Sequence, residues 1–169
     1  GIRRYTHLDV QIKWPNDLVL NGKKICGILV EMIAEAEHID YFILGFGINV
    51  NQCLEDFSEE LREKATSLAI RSGAKIDRMA LLCQILLSLE QQQALYQSEG
   101  FMPIRQNWLE NACFLGDKVV IRQQERIIDE GVVEGIDEDG ALLLQRPNGQ
   151  IVRILSGDVS LRQADGRYC

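Results

Sequence analysis

Three short strings within the first 51 residues hold most of the side chains that could act on a substrate. The first, Lys13-Trp14-Pro15-Asn16-Asp17, sets a cation, an amide and a carboxylate within five positions. Leu8 to Trp14 alternate apolar and polar, which predicts a strand. Pro15 disfavours helix at Trp14, so Pro15-Asn16-Asp17 reads as a turn. At a strand exit, side chains converge in open space. There a lysine can neutralise an anion, and a carboxylate can orient an amine or accept its proton. The same string also fits a plain strand exit, anchored by Trp14 and closed by an Asx turn.

The second string is Lys23-Lys24-Ile25-Cys26-Gly27-Ile28-Leu29-Val30-Glu31. Period-two alternation places Cys26 and Ile28 on the face of Lys24, and Ile25, Gly27, Leu29 and Glu31 on the other. Glycine weakens a strand unless something must approach its backbone closely, and a bulge is the structural alternative. Lys24 taken alone also fits a solvated hairpin lysine. The third string is Gly45-Phe46-Gly47-Ile48-Asn49-Val50-Asn51. A dinucleotide fingerprint would need glycine at position 50, which is Val50, so a Rossmann reading is rejected. Two strand glycines still let a flat ligand lie against backbone, and the Asn49 amide offers the donor and acceptor that an adenine edge needs. His7 and His38 are isolated and read as surface residues, and no Ser-His-Asp set can be assembled.

These strings need a sheet to hold them. Leu18-Val19-Leu20 and Ile25 to Ile33 flank Asn21-Gly22, the strongest short hairpin signal, because a type I′ turn needs positive φ twice. Glu35 to Asp40 reads as a polar turn, and Tyr41 to Val50 as a further strand. Residues 8–50 thus predict a mainly antiparallel meander. Glu55 to Ala69 is polar and helix-compatible. Asp77 can cap a helix running to about Gln97, with Met79, Leu82, Leu86 and Leu89 as its core stripe and Ile85 and Tyr96 flanking it. Gly100 stops it, and Pro103 opens a shorter helix carrying Ile104, Trp108 and Ala112. From Gly116, five short strands punctuated by Gly131, Asp139-Gly140 and Asn148-Gly149 predict a small barrel. The boundary falls near Cys113 to Gly116.

Composition bounds the chemistry. The 169 residues are 46% apolar and 25% charged, as in ordinary globular chains. Eighteen Lys and Arg stand against 25 Asp and Glu, a net charge of −7. No third of the chain is basic, which argues against binding nucleic acid mainly through phosphates. No run of 18 apolar residues occurs. The five cysteines show no C-x-x-C spacing, which favours free thiols over a disulfide frame or zinc site. Cys26 and Cys83 read as core thiols.

Taken together and in order, the three strings resemble the biotin protein ligases. Lys13 to Asp17 matches K-W-P-N-D, Lys24 with Gly27 to Glu31 matches K-x-x-G-I-L-V-E, and Gly45 to Asn49 matches G-x-G-x-N. The later helices, the small barrel and Ser160-Leu161-Arg162 also fit. The resemblance implies an α+β fold: a partial ligase core of the class II synthetase type over residues 1–113, mainly antiparallel sheet with helices, then an SH3-like barrel over 114–169. It implies a cytoplasmic, ATP-dependent biotin–[acetyl-CoA-carboxylase] ligase. Such an enzyme forms biotinyl-5′-AMP and passes biotin to a lysine of a carboxylase carrier protein.

By the same resemblance, Lys24, Asp17 and Lys13 are catalytic. Lys24, Gly27, Gly45 and Gly47 hold biotin, and Asn16, Asn49 and Arg162 hold nucleotide. Biotin, ATP and Mg²⁺ are required, with no protein-held metal site. The partners are a biotin carboxyl carrier protein or domain and, in one allowed assembly, a second copy; no DNA and no membrane are expected. The family's Gly-Arg loop, G-R-G-R-x-G-R, lies upstream of K-W-P-N-D, and here only Gly1 to Asp9 precede that motif. The sequence is therefore expected to match the C-terminal two-thirds of a ligase and not to sustain transfer by itself. Its alternative reading is a non-catalytic fragment or interaction module that binds nucleotide or partner weakly.

Overall fold

The computed structural model describes residues 1–35, 38–123, 126–155 and 159–163. A short helix α1 (Ile2–Thr6) leads into a four-stranded antiparallel sheet, β1 (Gln11–Lys13), β2 (Asp17–Leu20), β3 (Lys23–Glu35) and β4 (His38–Ile48), paired in chain order. The β2–β3 hairpin turns on Asn21 and Gly22, both at positive φ (49° and 75°), as the Asn-Gly signal requires. The polar turn expected at 35–40 is bracketed by β3 and β4, with its centre outside the described residues. The strand expected from Leu8 is shorter, because regular pairing begins only at Gln11.

Glu55 to Ala69 does not form one helix. It is a 3₁₀ turn (Leu54–Asp56), α2 (Glu59–Arg62) and, after a break, α3 (Leu68–Ser72). The break has a cause: Ala65 forms an isolated parallel bridge with Lys24. The Lys24 N–H donates to Lys64 O at 2.8 Å, and the Thr66 N–H donates to Lys24 O at 3.0 Å. Helix α4 (Arg78–Glu99) is capped by Asp77, whose carboxylate accepts from the Met79 and Ala80 N–H groups, and ends at Gly100. Its core stripe is a correction. Met79, Leu86, Leu89 and the flanking Tyr96 are exposed and Leu82 is half-buried, whereas Leu81 is buried beside the half-buried Ile85 of the flank. Contact with α1 and the first sheet turns the 81/85 ridge inward, and Cys83 is thereby exposed instead of core. Helix α5 (Met102–Asn111) opens with Pro103 in its first turn.

The second sheet orders β5 (Lys118–Gln123), β6 (Arg126–Ile136), β7 (Leu142–Gln145), β8 (Ile151–Ile154) and β9 (Val159–Gln163) as β8-β7-β6-β5-β9, all antiparallel. These are the five strands expected. Among the described residues β8 and β9 do not pair, so the sheet is open and not a closed barrel.

Two cores form. Leu18, Leu20, Cys26, Ile28, Phe46 and Ile48 of the first sheet pack with Ile2, Leu68 and Leu81 from the helices. The second core joins Val119, Ile121, Val133, Ile136, Leu142 and Leu144 to Trp14 and Val19. Val19 lies on β2 and Trp14 in the β1–β2 turn, so the two parts share buried surface. No helix among the described residues is long and apolar enough to cross a membrane.

Candidate active site

Register brings the first string, the second and the third into one row. Lys13 pairs with Asp17, Asp17 with Gly27, and Gly27 with Gly47, across four adjacent strands. Cross-strand partners point to the same side of a sheet. The row therefore occupies the face opposite the one that packs on α3 and α4 through Leu18, Cys26 and Ile28. Gly45 lies on the same face as Gly47, two residues along β4.

Simple alternation would place Lys24 on the other face from Gly27. A bulge reverses this. The register shifts between Leu18 and Val19, with Cys26 opposite Leu18 and Lys24 opposite Val19, so Ile25 is the extra residue. Lys24 thus joins the face of Asp17, and its Nζ lies 2.7 Å from Asp17 Oδ1. Asp17 is largely buried (side chain 12% exposed) while Lys24 is 40% exposed, so the pair opens to solvent from the lysine side. The Lys24 backbone is held on both sides by the 64–66 segment, leaving the side chain as the movable part.

Gly27 is what lets the two meet. A Cβ there would sit 3.3 Å from Lys24 Nζ, 3.4 Å from its Cε and 3.7 Å from Asp17 Oδ1. At Gly47 nothing lies within 4 Å of the same position, and at Gly45 only Leu29 does. The sheet beside the ion pair is thus a flat strip of bare backbone. Lys13 is buried (2% exposed). Cys26 lies behind the pair on the opposite face; burial pushes its thiol up to about 11, the Asp17 carboxylate adds to this, and Lys24 opposes it.

The asparagines divide. Asn16 is exposed at the β1–β2 turn, and its Nδ2 donates to Ile28 O at 2.8 Å, which leaves Oδ1 open. The Asn49 backbone is fixed by donation to Ile25 O and acceptance from Leu68 N–H, both near 2.8–2.9 Å, which sets the start of its side chain. Arg162 lies opposite Val120 on β9; its side chain is outside the described residues. The structure therefore brings together Lys13, Asp17, Lys24, Gly27, Gly45 and Gly47. The sequence reading missed Thr66 and Ser67, both buried, which close the segment that grips Lys24. Ser67 caps α3, and that N-cap serine before an apolar run was the available signal.

An apolar groove of about 570 Å³ lies on the opposite sheet face, lined by Ile12, Leu18, Ile28, Phe46, Ile85 and Trp108. Arg3 and Arg4 stand at its lining, but it holds neither the Lys24–Asp17 pair nor a carboxylate. Among the described residues no cluster of three or more His, Cys, Asp or Glu is placed to hold a metal.

Residues 1–49 match the model of the biotin/lipoate A/B protein ligase family, and residues 114–162 match that of the biotin protein ligase C-terminal domain. The chain is 42% identical over 161 residues to the bifunctional ligase/repressor BirA of Bacillus subtilis, covering 95% of this chain and 49% of that protein. It is 33% identical over 142 residues to the biotin–[acetyl-CoA-carboxylase] ligase of Paracoccus denitrificans, covering 83% and 59%. The apo structure of the Aquifex aeolicus biotin protein ligase superposes with a TM-score of 0.83 at 30% identity, covering 96% of this chain and 69% of that one. The same Aquifex enzyme in complex with biotin and ATP gives 0.81 at 29%, covering 96% and 66%. The chain spans about half the length of the bifunctional relative it matches.

Proposed function

The chain belongs to the biotin protein ligase family, and from that premise we propose that the Lys24–Asp17 face activates biotin with ATP and passes it to a lysine of a carboxylase carrier protein. The observation that carries this reading is the 2.7 Å Lys24–Asp17 pair beside the Gly27–Gly47 strip. In the first step a biotin carboxylate oxygen attacks the α-phosphorus of ATP. The new O–P bond forms as the bond to pyrophosphate breaks. Two anions meet, and the Lys24 ammonium offsets their repulsion where charge builds in the transition state. In the second step the acceptor lysine's amine attacks the acyl carbon, and AMP leaves. As Lys24 turns toward the adenylate, Asp17 is released to orient that amine or take its proton.

Of the two roles open to Lys13, its burial favours positioning Asp17 over reaching phosphate. Gly27, Gly45 and Gly47 make room along the strip for biotin, and Asn16, Asn49 and Arg162 are assigned to nucleotide. Magnesium would enter with the ATP phosphates: such ions are commonly held by substrate oxygens and one or two carboxylates, and no protein cage is placed for one among the described residues. Residues 1–113 would form the ligase core and 114–169 the SH3-like domain, a division that the two family matches support. The acceptor is a biotin carboxyl carrier protein and the compartment the cytoplasm. No DNA-contacting role is proposed for these 169 residues. A weakly binding, non-catalytic module is disfavoured, since it needs no ion pair on an open, side-chain-free strip.

The test is to incubate the protein carrying these residues with biotin, ATP, Mg²⁺ and a biotin carrier domain, and to weigh the carrier by mass spectrometry. A carrier heavier by one biotinyl group supports the reading. An unmodified carrier, together with no biotin-dependent pyrophosphate release, would overturn it.

A further inference from the structure

We propose that the β6–β7 turn of the second sheet positions the Lys13–Asp17 turn of the active site, acting through the Trp14 indole. This rests on the ligase reading for its catalytic consequence. Trp14 is 5% exposed and sits in the core of the second sheet, although it lies in the β1–β2 turn of the first. Its Nε1–H donates to Gly140 O at 3.1 Å, across 126 residues of chain. The neighbour on one side, Lys13, pairs with Asp17, so the place of the Trp14 ring sets the tip of the hairpin that presents Asp17 to Lys24.

The turn that supplies Gly140 is braced. Asp137 Oδ1 accepts from the Asp139 N–H at 2.9 Å and the Ala141 N–H at 3.0 Å. The Gly140 N–H donates to Asp137 O at 3.2 Å, and Gly140 takes φ +82°, open to glycine. From β8, Arg153 closes the turn: its Nε donates to Asp137, and its Nη2 donates to Asp139 Oδ2 at 2.6 Å. Burial pushes the Asp137 carboxyl up, but the guanidinium and the two backbone N–H groups more than offset it, so it lies below the ordinary range and stays ionised. Two further ties brace the same junction. Arg105 Nε donates to Ile136 O at 2.7 Å, and the Cys113 N–H donates to Ile12 O at 2.9 Å. The Gly140 carbonyl is thereby aimed at the indole by a chain of bonds, Arg153 to Asp137 to the 139–141 backbone. Asp137, Gly140 and Arg153 are positioning residues for Asp17, not groups that touch substrate.

The experiment combines Trp14→Phe, which keeps an apolar ring and removes the donor, with Asp137→Ala, at the other end of the chain of bonds. Each single variant is expected to slow biotin transfer to the carrier about tenfold, with KM for biotin and ATP within about twofold of the wild type. The double variant should be no slower than the singles, because both act through one bond. Arg153→Lys should recover part of the loss in Arg153→Ala. Rate losses that multiply in the double variant, or single variants at wild-type rate, would overturn the proposal. A wild-type protein without biotin-dependent activity would refute the ligase reading instead. In that case the Trp14 indole N–H resonance, assigned by its loss in Trp14→Phe, decides the contact: a shift in Arg153→Ala supports it, and an unmoved resonance overturns it.

Discussion

Replacing Gly27 with alanine tests the geometry of the ion pair with a single methyl group. The added Cβ would lie 3.3 Å from Lys24 Nζ and 3.4 Å from Cε. Ordinary contacts need about 3.5–4.0 Å, so the lysine tip must retreat by roughly 0.2–0.7 Å. That tip is flexible and 40% exposed, so the fold yields easily. Alanine also recovers about 0.5–1 kcal/mol that glycine costs inside a strand. The melting temperature should therefore stay level or rise by about 2–4 °C. Chemistry is less tolerant. A misplacement near 1 Å costs about a hundredfold, so a shift of a few tenths should slow biotin-dependent pyrophosphate release about tenfold. The assay is initial rate against ATP, paired with a thermal melt. A rate within twofold of wild type would show that Lys24 does not need the space above Gly27. A rate loss with a melting drop of more than about 5 °C would assign Gly27 to structure. Gly47→Ala is the control: nothing stands within 4 Å of its Cβ, so only a bound ligand can object.

Three further outcomes follow from other parts of the molecule. Gly131→Ala places a Cβ 2.3 Å from Gln145 O, a backbone atom that cannot move aside, and should destabilise by about 3 kcal/mol or more, read from the urea midpoint. The Cys26 thiol has a folded pKa raised to about 11 from 9.0; the unfolded chain thus loses this proton first, and stability falls as pH rises from about 9 toward 11, with a slope of up to about 1.4 kcal/mol per pH unit. The Cys26→Ala variant should lack that slope in melts taken across the window, and an unchanged slope would refute the assignment. On the β3–β4 hairpin, Val30, Met32, Tyr41 and Phe42 are exposed and β4 is an unpaired edge among the described residues. Phe42→Lys should lower concentration-dependent self-association in sedimentation, whereas an unchanged profile would place association elsewhere.

The hairpin at Asn21-Gly22, the α4 cap at Asp77 and the five late strands were legible because each depends on local chemistry: φ sign, a carboxylate at an N-cap, turn spacing. The joining of Lys24 to Asp17 was not. Alternation placed Lys24 on the wrong face, since a bulge at Ile25 depends on pairing with β2 and leaves no local mark. Gly27 was legible as a place of close approach, and the group that approaches it is the Lys24 ammonium. The α4 stripe failed for a related reason. Apolar residues run nearly all round that helix, and only contact with α1 and the first sheet decides that Leu81 and Ile85 turn inward. Likewise the strand expected from Leu8 is a three-residue strand bridged at Ile12 to Ala112, while β4 is a long strand with one edge unpaired among the described residues. Trp14 was read as an anchor without its partner, because Gly140 is 126 residues away.

In the proposed reaction Lys24 acts on the α-phosphate chemistry from the strip side of the first sheet. The most direct measurement of that role is biotin-dependent exchange of labelled pyrophosphate into ATP, comparing the protein carrying these residues with its Lys24→Ala variant at matched melting temperature. Removing a charge that acts in the transition state should lower exchange by about 10²–10³, with biotin absent from neither arm. Exchange at an undiminished rate in Lys24→Ala, with the fold intact, would rule out that role for Lys24.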